Sequence, residues 1–475
     1  MTLKTRRILY LSFIVIFFVV APPLVLYTAG FRYDFKYNRV VETGSLVAKT
    51  YPENASIFLN GEQIPESTPT ILNTILPGKI NLLLELEGYH SWEKEIEIKP
   101  RITTFEERVK LFSESDPIQV LDKKIHKYWW NNSFDKLAYT TVDNELRLFN
   151  TLNQKDTLIA NLSKKPLEQF SWSPHSDQIL IARKDGIETE YVVVDANAFE
   201  RIINISQIAA SDIKDLQWDP INKSAIYALT SKNTLIRLNF LLRTQRTIYR
   251  EPILEYLALD NRIIFLSNNS ADDMILSWIE TSDPSVIHLI PEITPILGDK
   301  IIKSSKKKIA LKNSRTLQLT IIDPGIKPPL RKDSVLIIPN VKEILWSQNG
   351  EMISYSDGSG IYVYSFTTPI SIIPQNPESK LITRYSKPIS SISLTDDILH
   401  VFYTVGNELR VSELGSSSDP RSTTLLDNSS GIRDIQFIGR YDALTFVDAS
   451  DNLNILQLSL KDIGFFPFGN QEISL

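Results

Sequence analysis

The chain has 475 residues, 43% hydrophobic and 23% charged, a balance that excludes wholesale disorder and permits a sizeable buried core. Its net charge is −5, and the first 29 residues hold three of the 51 Lys and Arg and no acid, so the body is mildly acidic and offers no electrostatic footprint for nucleic acid. The absence of cysteine excludes disulfides, thiolate nucleophiles, cysteine-ligated zinc and iron–sulfur clusters.

Residues Ile8 to Ala29 form an uncharged run of 22 residues. As a helix it spans about 33 Å, enough for a hydrocarbon core of about 30 Å. Lys4, Arg6 and Arg7 precede it, and Arg32 and Lys36 follow beside Asp34. The positive-inside rule favours a single-pass anchor with a cytoplasmic N-terminus and an extracytoplasmic body. Pro22 and Pro23 are expected to kink the span. The alternative is a cleaved signal peptide. A cut after Ala29 places bulky Tyr27 where a small residue belongs, and a cut after Ala21 places Pro22 just beyond it, so an uncleaved anchor over residues 1–29 is expected. Residues 30–43 read as a juxtamembrane linker. Tyr27, Phe31, Tyr33, Phe35 and Tyr37 cluster there, which suits a membrane–water interface. The alternation of Phe31, Tyr33, Phe35 and Tyr37 equally suits a first strand.

Residues 44–100 carry strong strand signals. Ala55-Ser-Ile-Phe-Leu59 runs into Asn60-Gly61, a favoured two-residue hairpin turn because both positions need positive φ. Pro77-Gly78 marks another turn; Ile80, Leu82, Leu84 and Leu86 then alternate with other residues, as do Ile96 and Ile98. This pattern predicts a small β-sandwich, with Tyr89 and Trp92 in its core. The stretch resembles the PEGA domain. The resemblance rests on Gly44-Ser-Leu46, Pro52-Glu-Asn-Ala55, Ile57-Phe-Leu-Asn-Gly61, Thr68-Pro69, Pro77-Gly78, Glu87-Gly-Tyr89 and Trp92. Asn54 replaces the glycine of the family's name motif, which predicts a slightly different turn. The resemblance implies a surface-associated spacer or interaction module of bacterial and archaeal envelope proteins, with no catalytic residues.

Residues 101–116 read as a linker, and residues 117–475 repeat with a period near 45 residues. Each unit has a strand ending in an aromatic residue, a polar turn and a second apolar strand. Its anchors are Trp130, Trp172, Trp218, Trp346 and Phe437, with degenerate units near Leu259, Ser304 and Leu394. A third strand follows, as in the near copies Asn144-Glu-Leu-Arg-Leu148 and Asn407-Glu-Leu-Arg-Val411, then a variable fourth, as in Thr157-Leu-Ile-Ala160. Four short strands per repeat is the sign of a β-propeller blade. Eight blades are favoured and seven are the alternative; Pro117-Ile-Gln-Val-Leu121 is the candidate closing strand. The Trp172-Ser-Pro174 and Trp218-Asp-Pro220 strands resemble TolB-type and WD-repeat propellers, whose fold hosts many activities. The chain is thus expected to be all-β apart from its N-terminal helix.

No catalytic, cofactor-binding or metal-ligating residue can be assigned. His90, His126, His175, His288 and His400 lack ligand spacing, and no nucleophile elbow, phosphate loop or dinucleotide fingerprint occurs. Ser304-Ser-Lys-Lys307 has a Ser-x-x-Lys spacing but falls in a strand-rich repeat and reads as a solvated loop. Asp272-Asp273, Asp396-Asp397 and Asp448-Ala-Ser-Asp451 read as acidic turns, with Asp448 and Asp451 the pair kept as a minor calcium alternative. The expectation is a non-enzymatic envelope protein anchored in the membrane by one helix. It would present its β module and propeller to a protein or a cell-wall polysaccharide, not to nucleic acid. Its ligand and its binding residues are left unassigned. The competing readings are an enzyme acting on a glycan at the propeller's axial face and a structural spacer. A cluster of carboxylates, His or Arg at the inner-strand loops of several blades would favour the enzyme.

Overall fold

The computed structural model describes residues 3–35, 38–175, 177–268, 273–290, 295–302, 308–322, 335–347, 350–366, 379–397, 399–414, 421–427 and 431–460. The chain divides into two units. The first holds residues 1–116, 417–425 and 457–461, and the second holds 117–416, 426–456 and 462–475.

In the first unit, α1 (Leu3–Thr28) runs through Pro22 and Pro23. Its stretch Leu9–Thr28 is long and apolar enough to cross a membrane, and none of it is buried. The next residues form a hairpin, β1 (Phe31–Asp34) and β2 (Arg39–Glu42). Residues 30–43 are therefore not a plain linker: Phe31 to Asp34 form a strand, with Tyr33 opposite Val40.

Seven strands then build a two-layer sandwich. They are β3 (Gly44–Tyr51), β4 (Ser56–Leu59), β5 (Glu62–Ser67), β6 (Thr70–Ile75), β7 (Gly78–Glu85), β8 (Trp92–Ile98) and β9 (Thr103–Lys110). One sheet has the order β6-β3-β9 and the other β5-β4-β7-β8. Leu46, Ala48, Ile57, Leu82, Leu84, Trp92, Ile96 and Ile98 fill the space between, with Tyr89 half-buried against them. Asn60 and Gly61, at φ 52° and 84°, make the two-residue turn between Leu59 and Glu62. Asn54 sits at φ 71°, the left-handed conformation a glycine would supply and asparagine tolerates better than most residues. At Gly44 a Cβ would lie 2.5 Å from the Lys99 carbonyl oxygen, so a close backbone approach requires glycine there.

The linker reading of residues 101–116 is corrected. Ser45 to Tyr51 of β3 pair in parallel with Thr103 to Lys110 of β9, and Val109 and Leu111 enter the core. The sequence hides this because β9 is an edge strand of largely polar and charged residues, with Phe105 62% exposed. Across the two layers, Lys94 pairs with Glu106 of β9 at 3.0 Å, its side chain 8% exposed.

In the second unit, among the described residues, eight four-stranded antiparallel sheets follow in chain order. Their first strands are Ile125–Trp130, Leu167–Trp172, Ile213–Trp218, Ile253–Leu259, Asp299–Ile302, Glu343–Trp346, Ile389–Leu394 and Arg433–Ile438. Successive sheets share apolar cores: Trp130 packs with residues of the eighth sheet, Trp218 with the second and Trp346 with the fifth. The eighth sheet holds Arg433–Ile438, Ala443–Val447 and Leu453–Gln457, completed by Ile118–Gln119 from the start of the unit. Ile118 pairs with Ile455. The Leu259 and Leu394 anchors end first strands; Ser304 lies outside the described residues.

Candidate functional site on the inner strands

The first strands of consecutive sheets meet one another. Gln169 donates to the Leu216 carbonyl at 3.0 Å and Gln217 to the Tyr256 carbonyl at 2.8 Å. The amide of Ile435 donates to Ser391 Oγ at 3.2 Å, and that of Phe437 to Ser393 Oγ at 2.9 Å. These strands are therefore the innermost ones of the ring. Most carry a one-residue bulge near their start, as at Ile125/Lys127, Ile213/Asp215 and Ile253/Glu255. A bulge re-aims the side chain that follows it.

The residue three before Trp130, Trp172, Trp218, Trp346, Leu394 and Phe437 is Lys127, Gln169, Asp215, Glu343, Ser391 and Asp434 in turn, while Glu255, just after the bulge of the fourth sheet, and Lys300 of the fifth lie at the corresponding level. Ionisable residues thus recur at one level of the inner strands. Burial pushes the carboxyls of Asp215, Glu255 and Glu343 up from their ordinary values. Hydrogen bonds oppose it: the backbone of Ile301 bonds to Glu255, that of Ile392 to Glu343, and Gln217 and Leu216 to Asp215. Leu216, Ile301, Ile392 and Ile435 are equivalent positions. Gln169, Glu255, Glu343 and Ser391 therefore each reach the same backbone site in the following sheet. The negative charge of Asp215 further raises Glu255, and that of Asp434 raises Glu343, while Lys300 and Lys312 oppose these effects.

This set was not legible in the sequence, because it depends on strand register and the bulge. The available signal was the residue three before each tryptophan. The arrangement can hold a polar chain or a charged side chain along the inner strands; Glu255 and Glu343 also act as latches between sheets.

The five histidines are not brought together. His126 is exposed at the first bulge, exposed His175 contacts the Pro220 carbonyl, His288 stacks on Trp278 at 3.9 Å, His400 is buried and His90 lies 3.8 Å from Glu114. No group of three or more His, Asp and Glu fit to hold a metal occurs among the described residues. Asp448 accepts the amides of Ser450 and Asn452 and the side-chain amides of Asn452 and Asn454. Asp451 pairs with Arg433 at 2.5 Å. Both carboxylates are thus engaged in shaping the turn. Ser304 to Lys307 and Asp272 lie outside the described residues.

An apolar helix, a seven-stranded sandwich and a ring of four-stranded sheets define an all-β protein of the β-propeller class. Residues 43–111 match the PEGA domain family. Among solved structures, the chain is similar to the β-propeller domain of Cps50 (Swd1) from Myceliophteria thermophila, at 12% identity over 72% of this chain and 98% of that one, with a TM-score of 0.41. It is similar to the C-terminal WD40 domain of Sif2, at 13% identity over 72% and 98%, with a TM-score of 0.48. It is also similar to a eukaryotic initiation factor, at 8% identity over 73% and 88%, with a TM-score of 0.50. The comparison with curated protein sequences finds no match. At these identities the likeness is one of fold alone.

Proposed function

We propose that this chain is a membrane-anchored envelope protein that presents its PEGA domain and propeller as a non-catalytic binding or scaffolding surface. Its partner is a protein or a cell-wall polymer outside the membrane. The apolar helix, the basic residues before it and a PEGA domain directly after it support an extracytoplasmic body. The observation that carries the non-catalytic reading is the engagement of the inner-strand carboxylates. Glu255 and Glu343 are hydrogen-bonded to the backbone of the next sheet, a structural duty at the place where an axial active site would stand. The ring has eight blades in this reading, one per four-stranded sheet.

The test uses the full chain reconstituted in lipid nanodiscs as bait against envelope proteins and purified wall polymer. Saturable retention without chemical change of the ligand supports the proposal. Turnover of a glycan by the purified chain overturns it.

The second reading is a glycan-active enzyme. It is favoured by the raised carboxyls of Asp215, Glu255 and Glu343, since shifted carboxyls in a cleft are the means of acid–base chemistry. Under that reading Asp215→Asn or Glu255→Gln abolishes turnover while leaving polymer retention intact.

A further inference from the structure

We propose that the exposed face of the β1–β2 hairpin, formed by Tyr33, Phe35 and Val40, docks into the headgroup region of a lipid bilayer. This inference rests on the membrane reading of α1.

The hairpin is fastened to the end of α1. Arg32 Nη1 donates to the Tyr27 carbonyl at 2.8 Å, and its guanidinium carbon lies 3.6 Å from the centre of the Tyr27 ring. Gly30 N donates to the same carbonyl at 3.3 Å, and Thr43 holds the Gly30 carbonyl through its amide at 3.0 Å and its hydroxyl at 2.7 Å. Carbonyls that a helix end leaves without intrahelical partners are thus taken up by the hairpin and its closing residue. Gly30, at φ 87°, provides the sharp exit from the helix. Nothing flexible separates the apolar span from the strands, so the hairpin stays within a few residues of the point where the helix leaves the hydrocarbon.

On that hairpin, pairing places Val40 opposite Tyr33 on one face, and Phe35, in the turn just after β1, sets its ring against Tyr33. Their exposures are 47%, 83% and 53%, and the two rings touch edge to face at 5.0 Å. The other face is different: Asp34 is 8% exposed and Arg32 is turned to the helix end. A lone two-stranded hairpin is marginal in water, and an uncovered face of two aromatic rings and a valine weakens it further. The bilayer interface covers such a face while leaving the tyrosine hydroxyl wet. It is also the surface that α1 brings alongside.

The chain has no cysteine, so single cysteines can be spin-labelled at chosen depths. The experiment labels Phe35→Cys and Val40→Cys in the full chain in anionic liposomes. Val25→Cys in α1 and Ile187→Cys, at a turn where the native residue is 96% exposed, serve as references. Accessibility to oxygen and to a water-soluble nickel chelate is measured, with circular dichroism confirming the strand content of each variant. The expected oxygen-to-chelate ratio at both hairpin positions lies between those of Val25 and Ile187. If both match Ile187 while Val25 is deep, the hairpin stands in water and this inference fails while the anchor reading survives. If Val25 itself matches Ile187, the anchor reading fails and takes the inference with it. Spin–spin broadening at Phe35 with chelate excluded shows a second copy covering the face, which also overturns it.

Discussion

The hydroxyl of Tyr128, in the first of the eight sheets, donates to the backbone carbonyl of Asp434, in the last, at 2.5 Å. It also lies 3.0 Å from the Thr445 carbonyl and is buried. Burial, with the negative charge of Asp434 adding to it and the Thr445 hydroxyl and Arg433 opposing it, pushes its ionisation well above the ordinary tyrosine value, so it is a neutral donor at every physiological pH. Two segments 306 residues apart are held at this point. Tyr128→Phe keeps the ring and removes the donor, leaving buried carbonyls short of a partner. The expected cost is about 1–2 kcal/mol, read as a lowered urea midpoint with unchanged slope.

Lys136 is the buried cation of the contact between the first two sheets. Its ammonium is 2.8 Å from Asp177 and 3.2 Å from Asp135, with its side chain 6% exposed. Burial alone would lower its pKa, but the two carboxylates outweigh that and raise it. Lys136→Met leaves Asp135 and Asp177 without their cation and is expected to cost about 3 kcal/mol. Adding Asp177→Asn should recover part of the loss, which a double-mutant cycle measures.

Glu343 predicts the opposite sign. Its folded pKa is raised by burial above the ordinary value of 4.5. As pH climbs from that value through the folded one, the unfolded chain releases its proton first, so the folded state loses stability across that window. Glu343→Gln removes the ionisation and keeps an oxygen for the Ile392 backbone. Thermal unfolding should show the variant more stable than the parent at pH 7, with the gain shrinking towards pH 4.

Asp357 governs an acid-side window. Burial pushes its carboxyl up, yet the amides of Gly360 and Ser359 and the hydroxyls of Ser359 and Tyr362 hold it down at about 2. The stability it contributes is present above the unfolded value of 3.8 and is lost as pH falls through about 2. Asp357→Ala should therefore unfold at a lower urea midpoint at pH 6, with the difference from the parent closing as pH falls below 3.8.

Topology is tested with protease added to intact cells. The proposed orientation predicts digestion of the sheets and survival of a membrane-bound fragment containing Arg6. Protection of the sheets until lysis would reverse the orientation. Release of the protein with a new N-terminus near Gly30 would make the segment a signal peptide.

The features legible in the sequence are those set by local chemistry. Asn60-Gly61 announces its hairpin because both residues accept positive φ, and Trp130, Trp172, Trp218 and Trp346 mark first strands because each fills a gap between sheets. What escaped depends on distant partners. Thr103 to Lys110 form a strand only because Ser45 to Tyr51 offer a free edge, and their polar surface conceals the pairing. The fifth sheet's first strand, Asp299–Ile302, has no aromatic at its end. The inner-strand set of Asp215, Glu255 and Glu343 escaped because their common level appears only once bulges and registers are known.

The Ile118–Ile455 pairing also dictates an order of events in time. During synthesis, each sheet of the ring can form as its four strands emerge, but the first has no neighbour on one side until Arg433–Gln457 are made. Until then Ile118 and Gln119 are a short strand without an edge to join, and Tyr128 and Trp130 face water. The growing chain therefore carries an open, apolar flank for most of its translation, which is when aggregation competes with folding. Shutting the ring is the final step and removes that flank all at once.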